Sequence, residues 1–156
     1  MSYIYPAPGV QDVEATLTLV ADTVAGNLVL PALQDITINN SNDVFTWTQL
    51  DSGSKQQVAT TATNSLAMNL VLDKTTFFGN SAATAGSAIK LGVFGMSKDK
   101  TKVEFTLYMG DTDGGNVGPT VTGSGYITGL APTVSADAPV WVSPITITVD
   151  GDYTVA

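Results

Sequence analysis

Residues Gly123 to Thr154 read GSGYITGLAPTVSADAPVWVSPITITVDGDYT. Ile145, Ile147 and Val149 alternate with Thr146, Thr148 and Asp150. Strict alternation puts one set on each side of a pleated strand, so this is a half-buried strand running to Gly151. Residues 120–130 form the strand before it, and the polar stretch between them is a break. Trp141, flanked by Val140 and Val142, reads as a buried residue.

Working outward, the same period recurs. Residues 13–20, VEATLTLV, set Val13, Ala15, Leu17 and Leu19 against Glu14, Thr16 and Thr18. Residues 35–38, DITI, make a short alternating piece, and Asn39-Asn40-Ser41-Asn42-Asp43 reads as a turn. Residues 44–50, VFTWTQL, and 55–63, KQQVATTAT, flank Asp51-Ser52-Gly53 as the limbs of a hairpin that buries little. The cleanest alternation is 64–72, with Leu66, Met68, Leu70 and Leu72 facing inward; residues 102–108 follow with Val103, Phe105 and Leu107. The alanine-rich stretch 81–92 is the one predicted helix, weakened by Gly86. Residues 93–96 are expected to begin a strand and 97–100 to form a charged turn. Tyr3, Ile4 and Tyr5 precede Pro6 and Pro8, and proline blocks both helix and central-strand pairing, so residues 1–10 read as an extended arm.

Many short strands separated by Gly, Pro and Asn turns predict a mostly β chain. The expected fold is a single-domain antiparallel β-sandwich or barrel with one short α-helix, an extended N-terminal arm (1–10) and a projecting hairpin within a β domain spanning 11–156.

Composition excludes much chemistry. The 156 residues include no histidine, cysteine or arginine, and 14 acidic residues face 6 lysines for a net charge of −8. Tight nucleic-acid binding needs several cations on one face, which this chain does not supply. Charged residues are 13% and hydrophobic ones 44%. A surface so poor in charge suits a subunit covered by copies of itself, and equally a Thr-coated secreted β-domain. The opening MSYIYPAPGV lacks a basic segment followed by an apolar one, so a soluble product made in the cytoplasm, with no membrane contact, is expected.

No catalytic constellation emerges. The close carboxylate pairs Asp12/Glu14, Asp111/Asp113 and Asp150/Asp152 fall at strand ends and turns, where Asp bonds the backbone. The run Asp111-Thr112-Asp113-Gly114 opens like a calcium loop, but its twelfth position is Thr122 rather than a bidentate acid. A serine nucleophile has no histidine base. The chain is therefore read as a non-enzyme without cofactor or metal. The aromatics Phe45, Trp47, Tyr126 and Trp141 could form a sugar-stacking platform. Strand aromatics are more often core, and Phe45/Trp47 is the pair expected at an interface.

The pattern Gly123-Ser124-Gly125-Tyr126-Ile127-Thr128-Gly129-Leu130, then Asp137, then Ile145 to Gly151, resembles the C-terminal strand pair of phage major tail-tube proteins. The helix at 81–92 suits that family too, and the resemblance covers roughly residues 64–154. The family often closes with G-x-G, where this chain has Gly151-Asp152-Tyr153. The resemblance implies a virion protein, assembled in the host cytoplasm, whose strands join edge to edge into rings of about six copies. Stacked rings would form the conduit for DNA ejection, with an acidic lumen that DNA passes without binding. Implied partners are other copies, tail terminator, baseplate or tail-tip and tape-measure proteins, and possibly sheath. Candidate contacts between subunits are Tyr3, Ile4, Tyr5, Phe45, Trp47 and Tyr153; lumen-facing residues are not assigned. The alternative reading is a surface β-sandwich adhesin or carbohydrate-binding module.

Overall fold

In the computed structural model, residues 4–5, 16–22, 24–30, 33–51, 53–112 and 118–156 are described. Eleven strands and two short helices follow in chain order. They are β1 (Ile4–Tyr5), β2 (Thr16–Ala21), β3 (Asn27–Leu30), β4 (Leu33–Thr48), β5 (Lys55–Val71), α1 (Lys74–Phe78) and α2 (Ala88–Lys98). After them come β6 (Lys102–Tyr108), β7 (Asp111–Thr112), β8 (Thr120–Leu130), β9 (Thr133–Ser135), β10 (Ala138–Val149) and β11 (Thr154–Val155). Nine of these strands form one antiparallel sheet in the order β3-β2-β6-β8-β10-β5-β4, with β9 beside β10 and β11 beside β8.

The mostly β expectation holds, but the sheet is one open layer rather than two packed sheets or a closed barrel. Connectivity bends it. β3 and β4 are opposite edges of the sheet, yet only two residues separate Leu30 from Leu33. Three Cα steps span at most about 11 Å, so the two edges approach each other at that corner. The sheet therefore curls around its own apolar face.

That face is built by period-2 alternation. Leu17 and Leu19 lie opposite Leu107 and Phe105 in register, and Val103 and Leu107 lie opposite Gly125 and Val121. Ile145 and Ile147 lie opposite Met68 and Leu66. All of these side chains but glycine are buried, and with Phe77, Ala88, Val93 and Met96 of the helical segment they make one core. α2 packs on β2, β3 and β8, and α1 on β3, so the helices cover the open side of the curl.

The helical segment differs from the single helix expected at 81–92. Asp73 caps α1, its Oδ2 accepting from the Thr75 and Thr76 amides at 3.2 and 3.1 Å. Ser87 caps α2 through its Oγ, which accepts from Lys90 N at 3.3 Å. Between them Asn80 Oδ1 accepts from the Ala82 amide at 3.0 Å, a side chain mimicking a backbone turn. The alanines at 81–86 thus lie in turns, because Ser, Asn and Gly offer the backbone competing partners. Residues 93–96, expected as a strand, and 97–98 of the expected charged turn belong to α2, which ends at Lys98 and is followed by the Asp99 cap and by Lys100 at φ 56.

The Asn39–Asp43 cluster is no turn. β4 runs through it as a 16-residue strand, and β5 likewise joins two expected pieces into 17 residues. A bulge opens the ladder beyond Asn42↔Ala62, where two steps along β4 meet three along β5 before Val44↔Ala59. Asp43 holds it: Thr61 Oγ1 donates to Asp43 Oδ2 at 2.8 Å, and Thr60 Oγ1 to the Asp43 carbonyl at 3.2 Å.

Candidate assembly interface

Beyond Asn64, β4 and β5 leave the core as a two-stranded hairpin whose residues 39–50 and 57–63 are all exposed. This is the projecting hairpin expected from the limbs 44–50 and 55–63, and its first limb begins earlier, at Asn39. Phe45 and Trp47 stack at 5.8 Å between ring centroids and are 59% and 36% exposed. Val58 pairs with Phe45 across the ladder and is also exposed. Isolated hairpins are marginal in water, and one that displays stacked aromatics has its apolar surface unmatched within the subunit.

A second spur was not foreseen. Trp141 was expected in the core and is 53% exposed. The cause is length: β10 meets β5 only from Val142 onward, with Leu72 N donating to Trp141 O at 2.9 Å as the last link. Before that, β10 pairs only with the three-residue β9, and Val134, Val140 and Trp141 are all exposed. Tyr126, on β8, is 41% exposed as well.

The other candidate contacts are placed differently. Tyr153 is half-buried and packs against the subunit's own core, beside Gly123. Ile4 and Tyr5 pair in register with Thr112 and Asp111 of the same chain. Tyr3, the rest of the expected arm and the middle of the glycine-rich Asp111–Asn116 run lie outside the described residues. Among the described residues, no cluster of three or more acidic groups is placed to hold a metal ion, and no helix is long and apolar enough to cross a membrane.

The sheet face away from the helices is polar and sparsely charged. Alternation assigns it Thr18 and Val20 of β2, Thr106 of β6, Thr122, Ser124, Tyr126 and Thr128 of β8, and Thr146 and Thr148 of β10. Hydroxyls cross-link it: Thr128 to Thr148 at 2.9 Å and Thr122 to Thr154 at 2.6 Å. Lys102 Nζ meets Asp150 Oδ2 at 3.0 Å, and this carboxylate raises the lysine's pKa through its hydrogen bond and its charge. Asp35 accepts both its bonds from Asn69 Nδ2, at 3.1 and 2.9 Å. Glu104 adds a third acid, and Asp22, which follows β2 beside Lys102, adds negative charge at the same end, so the described acids on this face outnumber its lysine. Of the other described acids, Asp43 and Asp51 lie on the hairpin and Asp73 and Asp99 at helix ends.

No family model and no curated protein matches the sequence. Solved structures do match over nearly the whole chain. A chain from the tail of an empty GTA particle, refined helically with C6 symmetry, has a TM-score of 0.66 at 15% identity, covering 96% of this chain and 99% of that one. A chain of the SPP1 tail tube has a TM-score of 0.64 at 9% identity, covering 95% and 78%. The fold is the tail-tube fold. A chain of the six-fold symmetrised baseplate of the anti-feeding prophage shares it, with a TM-score of 0.64 at 10% identity, covering 96% of each chain. Within the tail-tube fold, the glycines of the Gly123–Leu130 pattern gain a steric reason. A Cβ on Gly125 would stand 2.1 Å from Thr148 O, and one on Gly123 would stand 2.8 Å from the Phe105 ring.

Proposed function

We propose that this chain is the structural subunit of a tail tube. Copies join edge to edge through β3 and β4 into a ring, and rings stack into a conduit. The observation that carries this reading is the open sheet, which spans the tail-tube fold but leaves two edge strands and an exposed hairpin for neighbours. Symmetric closure uses such edges without random aggregation. The six-fold symmetry of the GTA tail supports six copies per ring.

In this reading the polar sheet face lines the channel. It presents hydroxyls and more acids than lysines, with Lys102 paired to Asp150, so the wall repels DNA weakly and offers no cluster of cations to hold it. The subunit has no catalytic role. It belongs to a virion and meets terminator, baseplate or tail-tip, tape-measure and sheath proteins at its ends and outer surface.

Negative-stain electron microscopy of the purified protein over a concentration series tests the proposal. Hollow rings or tubes are expected. Strictly monomeric particles at every concentration, with specific glycan binding, would replace the tube by the surface-adhesin reading that exposed aromatics also allow.

A further inference from the structure

Phe78 and Phe94 lie side by side on the helical face, 5.7 Å apart between ring centroids, and both also touch the buried ring of Phe77. They are 59% and 41% exposed. Each has a lysine one helical turn away. Lys74 precedes Phe78 by four residues on α1, and Lys98 follows Phe94 by four on α2, a spacing that sets each lysine beside its ring. Residues 74–98 hold three lysines and no acid, in a chain of net −8. The rings are therefore an apolar patch, fixed in place by Phe77 and flanked by the charge the rest of the chain lacks.

The patch adjoins a sheet edge. α1 and α2 both pack on β3, whose outer edge has no partner strand among the described residues. A strand added there would lie about 4.8 Å beyond β3, less than the helix width of about 10 Å, so it would run beneath the overhang of the helices. The opposite edge of the sheet supplies a fitting occupant. On β4, the half-buried Ile36 and Ile38 lie opposite Met68 and Leu66, which puts them on the helix side of the sheet. Strands joined in one sheet keep their two faces, so a neighbour's β4 beside β3 turns these isoleucines toward the rings. β4 also carries two acids and no lysine.

We infer that a second copy covers the patch: Phe78 and Phe94 of one subunit clasp Ile36 and Ile38 of the neighbour whose β4 joins β3. Lys74 and Lys98 draw the acidic strand in. The inference rests on the tube reading and names a side-chain clasp that locks each lateral joint. The contact is heterologous, one patch meeting a different patch, so copies related by rotation close a ring. Aromatic anchors commonly dominate such contacts, and complementary charge speeds the encounter.

The chain has no cysteine, so introduced ones report cleanly. Wild-type assembly is followed by electron microscopy beside Phe78→Cys, Ile36→Cys and the double variant, each treated with a short bismaleimide. The double variant is expected to give covalent oligomers that stop at the ring size, and an equimolar mixture of the single variants to stop at dimers. Phe78→Ser combined with Phe94→Ser, checked for folding by circular dichroism, is expected to raise the concentration needed for assembly about tenfold or more. Lys74→Glu with Lys98→Glu should slow assembly at low salt and much less at high salt. In wild-type-like tubes of Phe78→Cys, the thiol should react far more slowly with a maleimide than in the monomer. Two results overturn the clasp while leaving the tube reading intact. One is equal reaction of Phe78→Cys in tube and monomer. The other is tube formation by the double serine variant at the wild-type concentration, with no cross-link between Phe78→Cys and Ile36→Cys. Failure of the wild-type protein to assemble removes both.

Discussion

Gly79 and Gly92 bring the backbones of α1 and α2 into direct contact: a Cβ on Gly92 would stand 2.4 Å from the Gly79 nitrogen and 2.6 Å from the Phe77 carbonyl oxygen. Gly92 also has φ 66, a conformation that L side chains rarely adopt. Gly92→Ala therefore combines a steric clash with backbone strain. It is expected to destabilise the fold by at least about 2 kcal/mol, read from urea denaturation. Loss under about 0.5 kcal/mol would mean the helices can separate without harm to the core.

Core and hairpin should respond oppositely. Phe105 is 1% exposed among the strands of the apolar face, and Phe105→Ala is expected to lower stability by about 3–5 kcal/mol. Leu50, fully exposed at the hairpin tip, should change stability by less than about 0.5 kcal/mol on substitution by Ser. A hairpin folded back on the core in solution would show itself by a large effect of Leu50→Ser on the monomer.

Stability should be flat across neutral pH and fall at both extremes. The Thr75 hydroxyl, the Thr76 amide and the Thr76 hydroxyl hold the Asp73 carboxyl below its usual range. Its contribution is present above the unfolded carboxylate pKa and is lost as pH falls through the lower folded value, below about pH 4. Lys102 is raised by Asp150, so its contribution is present below the ordinary lysine pKa and lost as pH rises above about 10.4. Thermal melts against pH should show Asp73→Ala removing part of the acid limb alone and Lys102→Met part of the alkaline limb alone. No histidine or cysteine titrates between them.

Channel lining can be checked by reagent size. Thr128→Cys, on the polar face, should react with a small maleimide and a bulky polymer maleimide alike in the monomer. In assembled tubes the small reagent should still enter while the bulky one reacts much more slowly. Equal reaction with both in tubes would put this face outside.

Alternation made the apolar face legible. Leu66, Met68 and Leu70, then Val103, Phe105 and Leu107, then Ile145 and Ile147, could be read one strand at a time because burial on one face imposes period two. What escaped depends on distant partners. Asn39 to Asp43 have turn composition, but β5 supplies the ladder and Thr61 the bond to Asp43. Trp141 looks buried from its valine neighbours and is exposed because β10 outruns β5. The helix limits follow from the Asp73 and Ser87 caps and the Asn80 turn between them, which the alanine content of 81–92 hides. Phe45 and Trp47 were legible as an exposed pair because the limb opposite them, Lys55 to Thr63, has little to bury.

The ladder joining β5 to β10 also has a mechanical meaning. Its seven register pairs, Val142↔Val71 to Thr148↔Ser65, lie between a hairpin that reaches one way and a spur that reaches the other. Antiparallel bonds run across the strands, so tension applied at the two tips loads the ladder in shear and all the rungs share it. Such a subunit resists stretching along its length far better than peeling from its side.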